Sequence, residues 1–281
     1  MENKQKKAVD MTIVVNTCDS YADVLEIFFH ALKAHWPDCP YPIVINTETA
    51  TYNYSARTNN YHSSTGEDDW GARLRATLLT VETKFVMMLY DDFILEAPIE
   101  IGSLDAALSL LRNDTDAAVT YLVDTSLELD EPGSTNQFIP LKAKAHYRLN
   151  SAPAIWRKRA LLDYTAAGDT PWAWEVFGTY RTWGDGKIFY SLNPNLKAVY
   201  PFNYSKGGAI YRGKWVREVV DSVAQKYALS IDWNARGFSS DTLFEKRTFK
   251  WKMKFIKTGF SMVGLKALHF LSFYIRGKIN G

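Results

Sequence analysis

The sequence predicts an α/β fold, a mostly parallel central sheet flanked by helices, followed by a basic amphipathic helical tail. Three observations predict it. Short apolar runs alternate with segments of helical spacing from Thr12 to Leu122, which is how parallel sheets are built. The run from Phe85 to Tyr90, FVMMLY, has no polar face, as a strand covered by helices on both sides requires. Charge sets the tail apart: residues 246–281 hold nine Lys or Arg and no Asp or Glu, so the remaining 24 basic residues face 31 acidic ones and the rest of the chain carries −7.

The elements follow in order. Thr12 to Thr17 (TIVVNT) reads as a buried strand, and Tyr21 to His35 as a helix with apolar positions at Val24, Ile27, Phe28 and Leu32. Tyr41 to Asn46 (YPIVIN) is a second strand. A polar loop runs to Trp70, GARLRATLLTV forms a helix, and KFVMMLY a third strand. A helix over Ser103–Leu111 and a strand over Ala117–Leu122 come next. Gln137–Leu149 suggests short strands or a hairpin, Lys158–Ala166 and Trp172–Arg181 helices, Lys187–Leu192 and Ala198–Phe202 closing strands, and Val216–Leu229 a last helix before the tail. This divides the chain into a domain over 1–240 and a helical segment over 241–281.

At 281 residues, 47% apolar and 14% aromatic, the chain has enough apolar side chain for a core of ordinary size and is rich in flat ring surfaces. Two cysteines, Cys18 and Cys39, without a CxxC or a His cluster, exclude a disulfide scaffold and a zinc site and imply free thiols, as in a cytoplasm. The apolar stretch after the charged start, TIVVNT, is too short for a signal-peptide core.

In an open parallel sheet, ligands bind beyond the carboxyl ends of the strands. Here the first strand ends in Asn16, Thr17 and Asp19, the second in Asn46 and Glu48, and the third in Asp91 and Asp92. Adjacent carboxylates at such an edge suit Mg²⁺ or Mn²⁺ when phosphate oxygens complete the shell, so a metal-bound diphosphate is the natural guest. The ordinary alternative is an Asp pair capping a turn. Downstream, the basic loop with Lys206, Arg212 and Lys214 among Gly207, Gly208 and Gly213 either closes over a diphosphate or is a solvated turn.

The stretch WGARLRATLLTVETKFVMMLYDDFIL resembles the bacterial glycosyltransferases of the GT-A fold (family-2-like) that build lipopolysaccharide, capsule or other surface glycans. In these, a Trp-x-x-Arg-Leu helix leads to an apolar strand ending in an Asp-x-Asp-type motif, here YDD. SAPAIWRKRALLDYTAAGDTPWAWEVFGTYR and GGAIYRGKW extend the resemblance. It implies a GT-A (Rossmann-like) fold and a nucleoside-diphosphate-sugar donor. It makes Asp92 the direct metal ligand, with Asp91 assisting or facing the ribose. It puts Asn16, Thr17 and Asp19 beside base and ribose, with Glu48 and Arg73 near the sugar nucleotide. An exposed Arg is the ordinary alternative for Arg73.

Glycosyl transfer needs a base for the acceptor hydroxyl, on a segment separate from the metal. With the resemblance, Glu175 of PWAWEVF is favoured and Asp169 is the runner-up, which a cap or turn role would equally explain. Glu175 is expected in the first turn of its helix, where the dipole favours a carboxylate. Trp172 and Trp174 offer a stacking platform for an acceptor sugar, or core. The tail lacks the roughly 18-residue apolar stretch of a membrane span. It reads instead as an interfacial helix on anionic lipid, with a helix docked on the domain as the alternative. An acidic body makes nucleic acid an implausible partner. The expected enzyme is a metal-dependent, inverting transferase acting on a lipid-linked glycan acceptor in surface polysaccharide assembly at the cytoplasmic membrane face. A sugar nucleotidyltransferase and a non-catalytic glycan-binding or membrane scaffold module are the alternatives.

Overall fold

In a computed structural model of the chain, residues 9–55, 57–62, 69–204, 207–229, 231–239 and 248–279 are described. The sheet strands are β1 (Met11–Asn16), β2 (Ile43–Thr47), β3 (Thr58–His62), β4 (Phe85–Tyr90), β5 (Ala117–Tyr121), β6 (Phe138–Pro140), β7 (Ala154–Arg157) and β8 (Ile188–Leu192). They form one eight-stranded sheet in the order β3-β2-β1-β4-β7-β5-β8-β6. Six strands share one direction and only β7 and β6 oppose it. This is the mostly parallel α/β sheet expected.

The helices are α1 (Ala22–His35), α2 (Trp70–Thr80), α3 (Ile101–Asn113), α4 (Lys158–Tyr164), α5 (Pro171–Val176), α6 (Arg217–Tyr227), α7 (Phe249–Val263) and α8 (Leu268–Ile279). Pleat alternation divides the apolar strands between two layers. Ile13, Val15, Phe85, Met87 and Leu89 pack with α1, α3 and α6, whereas Val14, Val86 and Met88 pack with Trp70, Leu74 and Trp174 of α2 and α5. The central strands are therefore buried on both faces.

Several elements depart from expectation. β3 lies in the segment read as loop, because TNNYH is a polar edge strand with no apolar periodicity. β7 is four residues long, too short to show a period, and wedges antiparallel between β4 and β5. Ala198–Phe202 is no strand: Pro201 interrupts it and only the Leu95–Phe202 bridge remains. The tail is two helices rather than one, turning at Gly264, whose φ of 57° and ψ of −137° suit glycine alone.

Candidate active site

The ends of β1, β2 and β4 are level, since Asn16 pairs with Asn46 on one side and Tyr90 on the other. Their polar side chains form one connected network. Asn46 Nδ2 donates to Asn16 Oδ1 at 2.8 Å, Asn16 Nδ2 to the Leu89 carbonyl at 3.1 Å, and Thr77 Oγ1 to Asn46 Oδ1 at 2.9 Å. All three are buried, so this layer is a rigid floor rather than a ligand surface. Thr17 Oγ1 donates to Asp91 Oδ2 at 2.5 Å.

Asp19 is held by its neighbours. It accepts from Thr47 Oγ1 at 3.0 Å, the amides of Thr49 and Ala50, and the Thr49 hydroxyl. Burial raises its pKa, but these bonds outweigh it and hold the carboxyl well below the usual range. Glu48 accepts from the Asp19 amide at 2.9 Å and faces Arg73 Nη1 at 3.5 Å. Arg73 is buried, and its Nη2 donates to the Thr17 carbonyl at 3.2 Å. Arg73 thus braces the loops after β1 and β2 from beneath; it is not the exposed helix residue of the ordinary alternative.

Asp91 is buried and Asp92 half-buried at the end of β4. Burial first, and then the charge of Asp92, push the Asp91 carboxyl well above the ordinary range, against the Thr17 bond and the nearby Arg236 charge. Burial raises Asp92 as well, opposed by backbone amides that include Ile210. Two oxygen-donor carboxylates held at such cost suit a hard divalent cation, which would supply the missing charge. Among the described residues no third His, Cys, Asp or Glu joins them, so a cation there would draw the rest of its shell from ligand oxygens.

The glycine-rich segment is an ordered hairpin. β9 (Ile210–Tyr211) and β10 (Lys214–Trp215) are joined by Arg212 and Gly213, with φ of 53° and 79°, the two left-handed positions of a tight hairpin turn. Its base rests on the acidic pair: the Ala209 amide donates to the Asp92 carbonyl at 2.8 Å, and a Cβ on Gly208 would meet Asp92 Oδ2 at 2.7 Å. Lys214 is exposed, and Arg212 lies over the Tyr211 ring at 5.3 Å. Lys206 lies outside the described residues.

Glu175 enters from the other layer. It is the fifth of the six residues of α5, so the first-turn expectation is corrected; the helix is too short for its dipole to matter. Its Oε1 instead accepts from the Ser151 amide at 2.7 Å and the Ser151 hydroxyl. Burial raises its pKa despite these bonds. Asp169 is differently placed. It is fully buried in a bidentate ion pair with Arg181, with Nη2 donating to Oδ1 at 2.8 Å and Nη1 to Oδ2 at 2.5 Å, and Oδ2 also accepts from the Ala166 amide at 2.8 Å. Both oxygens are engaged in structure, which ties Asp169 to Arg181 and the turn at Ala166.

Trp174 is core, fully buried, with Nε1 donating to the Tyr164 carbonyl at 3.2 Å. Trp172 is half exposed but stacked by the tail, 4.0 Å from the Phe255 ring and 4.9 Å from Trp251. The sugar platform read from the two tryptophans is therefore core on one side and a helix seat on the other.

Two residues of this site went unread in the sequence. The first is Tyr90, whose side chain follows Val86 and Met88 toward the α5 layer by pleat alternation. Its buried hydroxyl has no hydrogen-bond partner among the described residues, and it feels the charges of Glu175, Asp92 and Asp91. Tyr90 thus links the acidic pair to Glu175. The second is Arg236, which pairs with Asp23, with Nε donating at 2.8 Å, and lies over the Tyr21 ring at 4.4 Å. An Arg in a polar loop gives no sequence signal of this. A cavity of about 700 Å³ between α1, the Trp36–Tyr41 turn and Tyr54–Arg57 is lined by none of these residues.

No protein-family model matches the sequence, and no curated protein matches it. Among solved structures, the chain is similar to Staphylococcus aureus TarS 1–349 at a TM-score of 0.50 and 14% identity, over 91% of this chain and 83% of that one. The same protein in complex with UDP gives a TM-score of 0.51 and 12% identity over 94% and 87%. Against a longer TarS chain the match spans half of that chain's length, at a TM-score of 0.50 and 13% identity. A cytidylyltransferase from Leptospira borgpetersenii scores 0.41, too slight a likeness to bear on function. At these identities the likeness establishes a GT-A-like, Rossmann-type fold.

Proposed function

We propose that this protein is a metal-dependent glycosyltransferase. It moves a sugar from a nucleoside diphosphate to a glycan acceptor, lipid-linked in surface polysaccharide assembly, with inversion at the anomeric carbon. The observation that carries this reading is the acidic pair, buried Asp91 and half-buried Asp92, at the ligand edge of the sheet, with Tyr90 near enough to feel both that pair and Glu175 of α5. TarS was crystallised with UDP, which supports a uridine diphosphate sugar as the first donor to test.

In this reading Asp92, with Asp91, would hold Mg²⁺ or Mn²⁺, which when bound neutralises charge on the departing diphosphate. Thr17 and the Asn16–Asn46 layer keep the pair in place, Arg73 braces the loops from beneath, and Asp19 and Glu48 border the nucleotide. Lys214 and Arg212 on the hairpin face the diphosphate. Ser151 fixes Glu175 Oε1, which assigns the acceptor proton to Oε2. The acceptor oxygen bonds to the anomeric carbon as the carbon–phosphate-oxygen bond breaks, and the diphosphate leaves with the electron pair. A raised pKa on Glu175 suits a base that must take up the acceptor proton.

The test is a donor screen. The full chain is incubated with Mn²⁺ and nucleotide sugars, UDP-sugars first, and melting temperature and slow donor hydrolysis are followed. One donor at a hundredfold excess over its Kd should stabilise the fold by about 2.7 kcal/mol, and Asp92→Asn should lose both the stabilisation and the hydrolysis. The reading fails if no donor binds in the presence of metal, or if pyrophosphate is instead released from a nucleoside triphosphate and a sugar phosphate.

A further inference from the structure

The C-terminal helices have two distinct faces. The inner face repeats at helical spacing through Trp251, Phe255, Gly259 and Met262, and it is seated on α5 and the turn after it. Phe177 is the anchor: a Cβ on Gly259 would come within 2.4 Å of its ring, and Phe255 and Phe270 lie 4.7 Å and 5.1 Å from it. Phe273 stacks on His146 at 4.0 Å, and Lys266 Nζ donates to the Tyr180 carbonyl at 3.2 Å.

The outer face is uncovered. Phe249 is 77% exposed and Leu265 78%, with Met253, Leu268 and Ile275 each half exposed or more. Lys250, Lys252, Lys254 and Lys257 are exposed beside them, and among the described residues none of these lysines is ion-paired. No Asp or Glu occurs anywhere from Thr248 to Ile279. Apolar side chains this exposed, set in a purely cationic field, mark an interaction surface rather than an ordinary solvated helix.

We propose that this outer face of α7 and α8 is the surface through which the protein seats on an anionic lipid bilayer, with Phe249, Met253, Leu265, Leu268 and Ile275 inserted among the acyl chains and the α7 lysines on the headgroups. Charge complementarity selects this occupant. A second copy docked through a two-fold axis would bring the lysines of α7 against their own equivalents. A nucleic acid would engage the lysines but leave Phe249, Met253, Leu265, Leu268 and Ile275 without an apolar partner. No helix among the described residues is long and apolar enough to cross the bilayer, so the contact is interfacial. The helices are already folded against the body, so little ordering cost attends the binding.

Seating also orients the enzyme. Trp172 and Phe177, gripped by α7, flank Glu175 in the chain, so the layer that supplies the base lies next to the membrane-facing helix. This consequence rests on the glycosyltransferase reading; the membrane contact itself does not.

The experiment uses the full chain and no activity readout. It is sedimented with vesicles of phosphatidylcholine alone and of phosphatidylcholine mixed with phosphatidylglycerol. Binding is expected to the anionic vesicles only and to be lost at about 0.5 M NaCl. A Lys250→Glu, Lys254→Glu pair should lower the partition by on the order of tenfold or more, and so should a Leu265→Ser, Leu268→Ser pair, each with an unchanged circular dichroism spectrum. Equal binding to both vesicles, binding to neither, or a dimer in sedimentation equilibrium that the leucine pair abolishes would overturn the proposal. If vesicle binding holds while no nucleotide sugar is turned over, the catalytic reading fails and the docking surface stands.

Discussion

Glu175 and Tyr90 illustrate what burial does to a polar group when a strand end becomes a site. Because burial raises the folded-state pKa of Glu175 above its unfolded value of about 4.3, its stabilising contribution is complete below that value and is lost as pH rises through the folded one. Glutamine keeps an oxygen for the Ser151 bonds but never ionises. Glu175→Gln should therefore gain melting temperature relative to the parent as pH rises above about 4.3, while transfer falls by about 10²–10⁴-fold. A melting series over pH beside single-turnover rates checks both. Tyr90 is the converse case, a buried hydroxyl with no close hydrogen bond among the described residues and only the Trp70 indole as a weak polar neighbour. Tyr90→Phe should unfold at equal or higher urea concentration and yet lose turnover. Equal turnover would mean that the hydroxyl meets no substrate. Neither residue's setting is written locally: the position of Asp91 and Asp92 after an apolar run is legible, but an unpaired hydroxyl depends on what α2 and α5 bring across from far along the chain.

At the scale of elements, the hairpin after Phe202 does what a loop of the same composition does not. Gly208 adopts a φ of 147° and lies so close to Asp92 that a methyl group would meet its backbone oxygen at 2.8 Å as well as its carboxylate. The carboxylate has room to rotate away, but the backbone does not. Gly208→Ala should cost about 1–3 kcal/mol, read as a lower urea midpoint at constant m-value, and should also remove metal-dependent donor stabilisation by turning Asp92 aside. What was legible among the elements follows a physical rule. β1, β2 and β4 are long, apolar on both faces and flanked by helices, so periodicity alone finds them. β3 is polar because it lies at the sheet edge, β7 has only four residues, and the strand expected at Ala198–Phe202 contains a proline whose missing N–H stops a ladder. Each miss marks a place where pairing is set by distant partners rather than by local pattern.

The whole molecule joins an acidic body to a cationic tail, yet what holds the two together is aromatic packing. Amphipathic spacing in the tail was legible; which side faces the protein was not, because that depends on Trp172 and Phe177 presenting a seat. The inner contacts are rings on rings, 4.0 Å at Trp172–Phe255 and 4.7 Å at Phe177–Phe255, and among the described residues no salt bridge joins tail to body. Salt therefore acts oppositely on the two faces. Screening at about 0.5 M NaCl removes the attraction of exposed lysines for a charged surface but leaves apolar burial intact. Hydrogen exchange of the α7 amides should consequently be unchanged by salt in the free protein, under the conditions that strip it from anionic vesicles. Phe177→Ala should do the reverse. Removing the ring against which Gly259 packs costs about 3–5 kcal/mol and opens the seat, so the α7 amides should lose protection at low and high salt alike. If salt alone deprotected α7, the tail would be held by charge, and the division of labour between its two faces would be wrong.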